Sequence, residues 1–176
     1  MSAVENLTPS VMKRLAKELT QLDQAPPEGI QPIVNEDNIT DVQAWIAGPI
    51  GTPFTGGVFR VQLKLGNDFP QAPPKGYFLT KIFHPNISQT GDICVNTLKK
   101  DWSPTLTIQT LLLTIKSLLY TPNPDSALNE EAASLFRSDF PAYERRAQVF
   151  TSVHARNNAA RVVFRNPVSS VVGGGG

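Results

Sequence analysis

Along residues 57–65 the sequence alternates, with Phe59, Val61, Leu63 and Leu65 set against Val58, Arg60, Gln62 and Lys64. A strand written this way has one wet face and one buried face, as in an antiparallel sheet backed by a second layer. Three further runs, 30–35, 40–47 and 75–80, are separated by turn-forming clusters. Together they predict an antiparallel meander of three or four strands. Helices supply the backing layer. Thr8 is placed to cap a helix with Pro9 at its first position. Val11, Leu15, Leu19 and Leu22 recur at helical spacing on its buried face, and Pro26-Pro27 stops it. Thr107 opens a strongly apolar helix to Tyr120, with Ile108, Leu111, Leu112, Ile115, Leu118 and Leu119 inward. Two more helices are expected over 129–138 and 141–160. The stretch 83–104 reads as one long connection, anchored by Leu98 and Trp102, and loops of such length in compact domains are commonly functional. No internal repeat or second domain is visible. The core is placed at 8–160 and a flexible C-terminal tail at 161–176, ending in four glycines.

A chain of 176 residues can bury one core without staples. Its formal net charge of +1 gives no broad footprint for nucleic acid or for an anionic membrane. One cysteine excludes an internal disulfide, and with two histidines it leaves no cluster for zinc. No apolar run reaches the ~20 residues needed to span a bilayer, and the N-terminus lacks a signal-peptide pattern. The expected location is a reducing compartment, cytoplasm or nucleus.

The single thiol, Cys94, is the one strong nucleophile in a chain with almost no conventional base. A thiolate is the reactive form, and an unperturbed thiol of pKa about 8.5 ionises appreciably near neutrality. That suits the takeover of an acyl group already activated elsewhere better than peptide cleavage. Upstream, Pro85 makes His84-Pro85-Asn86 a rigid turn. Asn86 carries an amide that can face a developing oxyanion or brace nearby backbone. Gly91, in the polar turn 88–92, is free to take positive φ. Ile93 and Val95 flank the thiol, so a buried core cysteine is an equal reading of these residues alone.

The surrounding string resembles the ubiquitin-conjugating enzymes. It is carried by Gly48-Pro49, Gly51-Thr52-Pro53-Phe54 and Gly56-Gly57-Val58-Phe59, by Asp68-Phe69-Pro70 and Pro73-Pro74-Lys75, and by the run from Tyr77 to Ile87. Gly91-Asp92-Ile93-Cys94, Trp102-Ser103-Pro104 and Pro122-Asn123-Pro124-Asp125 follow in order. The likeness spans about residues 8–155. Val4-Glu5-Asn6-Leu7, Gly76 to Lys81 and Ser126 to Ala132 point to the S-type branch. The resemblance implies the α+β ubiquitin-conjugating fold: N-terminal helix, four-stranded antiparallel meander, long active-site loop, then central and C-terminal helices. It implies that ubiquitin is accepted as a thioester on Cys94 from an activating enzyme and passed to a lysine amine, extending polyubiquitin chains. No cofactor is expected on this chain, since the activating enzyme uses the ATP. The implied partners are donor and acceptor ubiquitin, the activating enzyme and a ligase. S-type enzymes work with the anaphase-promoting complex through a long basic tail, whereas this chain ends in Val171-Val172 and glycines.

Carried onto single residues, the resemblance gives Cys94 and Asn86 the catalytic roles. His84, Pro85, Asp125 and Ser126 shape the site, and Ser126 stands where many relatives carry an acid. Glu130 is expected to orient the acceptor lysine. Thr110, Thr114 and Ser117 are expected to meet donor ubiquitin. Lys13, Arg14 and Lys17, with Ser103 and Pro104, are expected to meet the activating enzyme or ligase. Lys99 is a candidate for self-modification. Two competing functions remain. A silent ubiquitin-binding adaptor of the same fold would lack the nucleophile, and a cysteine hydrolase would need an imidazole beside the thiol, for which only His84 is near in sequence.

Overall fold

The computed structural model describes residues 7–169. Helix α1 runs Pro9–Gln24, and the Thr8 side chain accepts from the Val11 amide at its start. Strands β1 (Ile30–Ile33), β2 (Asp41–Ala47), β3 (Val58–Lys64) and β4 (Lys75–Phe78) follow. They pair antiparallel in the order β1-β2-β3-β4, the expected meander. Each strand is slightly shorter than its sequence pattern, because pairing stops where the chain bends into turns. Across β2 and β3, the register sets Val42 opposite Leu63, Ala44 opposite Val61 and Ile46 opposite Phe59. These pairs are buried and share one core with Leu15 and Leu22 of α1. Gln43, Trp45, Arg60 and Gln62 lie on the other face, where the Arg60 guanidinium sits 5.5 Å from the Trp45 ring centroid.

Val58 departs from the alternation: it is buried, not wet. The C-terminal part of the chain covers that end of β3, since Val58 donates to the Ala155 carbonyl and Asn158 Nδ2 donates to the Val58 carbonyl.

The long connection is not unstructured. It contains the five-residue helix α2 (Val95–Lys99) and isolated bridges joining Tyr77 to Asp92 and Ile87 to Ile93. Helix α3 (Ile108–Tyr120) is capped by Thr107 and buries all six residues expected inward. Helix α4 (Glu130–Ser138) is capped by Asn129, and α5 (Phe140–His154) by Asp139. A short 3₁₀ turn over Arg156–Ala160 ends the helical part.

The chain then runs back across the α1–β1 turn. Asn166 O accepts from the Gly29 amide at 2.8 Å, and Arg165 pairs with Asp23 at 2.8 Å. Residues 170–176 of the segment read as a tail, the four glycines among them, lie outside the described residues, as do Val4, Glu5 and Asn6.

Candidate active site

The site is assembled on the backbone between Phe83 and Cys94. His84 is fully buried. Its Nδ1 accepts from the Asn86 amide at 3.0 Å, so the ring proton is on Nε2, which donates to the Leu118 carbonyl at 2.6 Å. Burial lowers its pKa from 6.5 to about 4, outweighing the carbonyl bond that favours the charged form. A neutral ring with both nitrogens occupied cannot serve as a base for the thiol, so the hydrolase reading loses its only near imidazole. Pro85 offers its carbonyl to the amides of Leu128 at 2.8 Å and Asn129 at 3.1 Å, tying the turn to the start of α4.

Asn86 is fully buried too, and its side chain makes three hydrogen bonds. Nδ2 donates to the carbonyls of Asn123 at 2.6 Å and Ser126 at 3.0 Å. Oδ1 accepts from the Asn123 amide at 2.8 Å. Both amide hydrogens therefore go to the 123–126 loop, and of the two roles open in the sequence this geometry performs the bracing one.

The thiol is delivered by a tight turn. Gly91 has φ of 97°, and a Cβ there would lie 2.2 Å from the Phe78 carbonyl oxygen, so only glycine fits. The turn is stitched by Ser88 and Asp92, and Ile93 donates to the Gly76 carbonyl at 3.0 Å. Cys94 donates its amide to the Asn86 carbonyl at 3.1 Å and stands immediately before α2. Its side chain is recessed, with the residue 6% exposed. The neighbouring cleft between α2 and α3 has a volume of about 480 Å³. Thr97 and Lys99 line it from α2, Thr114 and Ser117 from α3, and Asn123 and Ser126 from the loop that Asn86 holds.

The cleft therefore gathers Ser117, Thr114, Lys99 and Ser126. Thr110 stands apart in the first turn of α3, where its hydroxyl meets that of Thr107 at 2.9 Å. Asp125 is exposed and paired with Arg137 at 2.6 Å. Glu130 is exposed in the first turn of α4 and makes no ion pair or hydrogen bond among the described residues.

On α1, Lys13 and Lys17 are exposed, but Arg14 is not a free surface cation. Its Nη1 donates to the Pro104 carbonyl and its Nη2 to the Leu106 carbonyl at 2.8 Å. Nε pairs with Glu18 at 3.1 Å, and Glu18 in turn accepts the Ile108 amide at 3.0 Å. This clamp from α1 to the Ser103-Pro104 loop and the start of α3 was not legible in the sequence. Arg14→Ala should cost about 2 kcal/mol in urea unfolding, and Arg14→Lys should recover little, because lysine lacks the fork. The Ser103 hydroxyl meets that of Thr105 at 2.9 Å, and Pro104 is exposed.

The sequence profile of the ubiquitin-conjugating enzyme family matches residues 14–151. The chain belongs to that family. Within it, the similarity is to S-type enzymes: ubiquitin-conjugating enzyme E2 S of Nematostella vectensis is 55% identical over 159 residues, covering 90% of this chain and 78% of that protein. The E2 S enzyme of Drosophila virilis is 56% identical over 155 residues, covering 88% and 74%. Among solved structures, the E2 domain of a Toxoplasma gondii ubiquitin-conjugating enzyme aligns with a TM-score of 0.74 at 40% identity, covering 82% of this chain and 98% of that one. The protein is thus a ubiquitin-conjugating enzyme. Thioester transfer is its general chemistry, and ubiquitin, an activating enzyme and a ligase are its partners.

Proposed function

We propose that Cys94 carries the thioester and that the enzyme extends polyubiquitin chains on ubiquitin itself. The observation that carries this reading is the position of the chain's single cysteine, its amide held by the Asn86 carbonyl immediately before α2, whose Thr97 and Lys99 line the α2–α3 cleft. In the first transfer, the Cys94 thiolate attacks the thioester carbonyl on the activating enzyme and expels that enzyme's thiolate. In the second, a lysine amine attacks the new thioester. The Cys94 thiolate leaves, an isopeptide bond forms, and the amine gives up a proton.

A free lysine amine has a pKa of about 10.4, and desolvation beside the thioester lowers it. Ser126 is a weak proton acceptor where many relatives place an acid, and the Asp125 carboxylate faces Arg137 in an exposed ion pair. The acceptor ubiquitin therefore contributes the acidic group that completes the site, and unpaired Glu130 orients the incoming lysine. Glu130→Ala should slow ubiquitin-to-ubiquitin transfer about tenfold in single-turnover discharge while leaving discharge to free lysine unchanged. Equal slowing of both would remove Glu130 from acceptor positioning.

Thr114 and Ser117 offer the cleft wall on which donor ubiquitin is steadied. Lys99, exposed at the end of α2 and lining the cleft, is the residue proposed for modification in cis. The thiol chemistry needs a reducing compartment, cytoplasm or nucleus, and ATP enters only through the activating enzyme. S-type similarity makes the anaphase-promoting complex the first ligase to assay.

The test is charging. Purified chain, activating enzyme, ATP and ubiquitin should give an adduct that a thiol reductant removes. With one cysteine in the chain, a reducible adduct can only be on Cys94. Failure to form any reductant-sensitive adduct overturns the assignment; a reductant-resistant adduct that is lost in Lys99→Arg reports the modification in cis instead.

A further inference from the structure

A second concave surface lies away from the cleft by Cys94 and shares no residue with it. Between α5 and the 49–56 loop runs a groove of about 670 Å³. Its floor is a stripe along α5 at helical spacing: Arg145, Val149, Val153 and, just past the helix end, Arg156, with Gln148 and Ser152 beside them. The opposite wall is fixed, since Thr52 Oγ1 donates to the Pro49 carbonyl at 2.7 Å and Thr55 Oγ1 to the Thr52 carbonyl at 2.7 Å.

The ordinary reading of exposed arginines is a solvated helix face, and three observations distinguish this one. Val149 and Val153 are 59% and 61% exposed, one turn apart, on a face that solvation alone would fill with polar residues. Arg14, Arg137, Arg146 and Arg165 each pair with a carboxylate, whereas Arg60, Arg145, Arg156 and Arg161 have no acidic partner among the described residues; of these four, Arg145 and Arg156 line one groove together, and no acid lines it. Gln148 and Ser152 make no side-chain hydrogen bond among the described residues, leaving an amide and a hydroxyl for a bound backbone.

We propose that this groove binds an extended acidic segment of a protein partner, with apolar residues between two carboxylates. The two guanidiniums are separated by about 16 Å of helical rise. An extended peptide covers that distance, with the reach of the arginine side chains, in about five or six residues at ~3.3 Å each. Alternate apolar side chains between the acids then fall on Val149 and Val153. Each guanidinium takes a carboxylate through its planar fork.

The probe is the heptapeptide Glu-Ser-Leu-Ser-Leu-Ser-Glu, titrated into the ¹⁵N-labelled full chain to about 1 mM. Amide shifts should be confined to 52–55 and 145–156. They should weaken at least tenfold in apparent affinity in Arg145→Glu/Arg156→Glu, and likewise in Val149→Asn, while charging with ubiquitin keeps its normal rate in both variants. A peptide with lysines in place of the glutamates should give no shifts. Absence of shifts with the acidic peptide, or shifts that neither variant diminishes, overturns the proposal. So does binding of phosphatidylserine vesicles without any response to the peptide.

Discussion

Asn86→Ala should slow discharge of the charged enzyme by about 10²-fold and lower its thermal midpoint at the same time. The stability loss follows from the bonds removed. Three hydrogen bonds join this side chain to the 123–126 loop. At about 1 kcal/mol each, their loss amounts to about 3 kcal/mol. For a chain of this size that is a fall in Tm of roughly 6–12 °C. The rate loss follows from position. Asn123 and Ser126 line the cleft beside α2, and a displacement of about 1 Å in such a wall can cost about 10²-fold. Transfer onto Cys94 from the activating enzyme should suffer less, since the Cys94 amide is held by the Asn86 main chain, which alanine retains. Thermal unfolding and single-turnover discharge on one preparation decide the matter. A 10²-fold loss of rate with Tm unchanged would return Asn86 to the oxyanion role.

That double readout matters because the sequence left Asn86 between two roles. A side chain's type was legible, but its partners are 37 and 40 positions away. The same limit recurs elsewhere. Thr8, Thr107 and the helical stripes of α1 and α3 were readable because capping and amphipathicity are local. The meander was readable because turn chemistry and alternation are local as well. Arg14 looked like one of three surface cations, because its carbonyl acceptors lie 90 and 92 residues on. Val58 looked wet because nothing in 57–65 announces that Asn158 and Ala155 cover that strand end. Helix α2 was missed because five residues are too few to establish a period. Its place is fixed by Leu98, which is buried in the shared core.

Acidification should destabilise the protein steeply between pH 6.5 and about 4, and one imidazole should account for about 3 kcal/mol of the loss. In the unfolded chain His84 titrates at its ordinary value of 6.5, whereas in the fold burial holds it at about 4. Above 6.5 neither state binds the proton, and the full stability is present. Between the two values the unfolded chain binds a proton that the fold refuses, so stability falls as pH falls. Below about 4 both states are charged and the loss is complete. At about 1.4 kcal/mol per pH unit, the interval from 6.5 to about 4 corresponds to about 3 kcal/mol. The physical origin is burial, which denies the charged ring its hydration, and the geometry acts in the same sense: Nδ1 faces an N–H, so protonation there would break the bond that sets the Asn86 amide. Urea midpoints measured from pH 7 to 4 should therefore drop more steeply for the parent protein than for His84→Gln, whose amide can still donate to the Leu118 carbonyl but does not titrate. Parallel curves for the two proteins would mean that the imidazole is protonated as readily inside the fold as outside it.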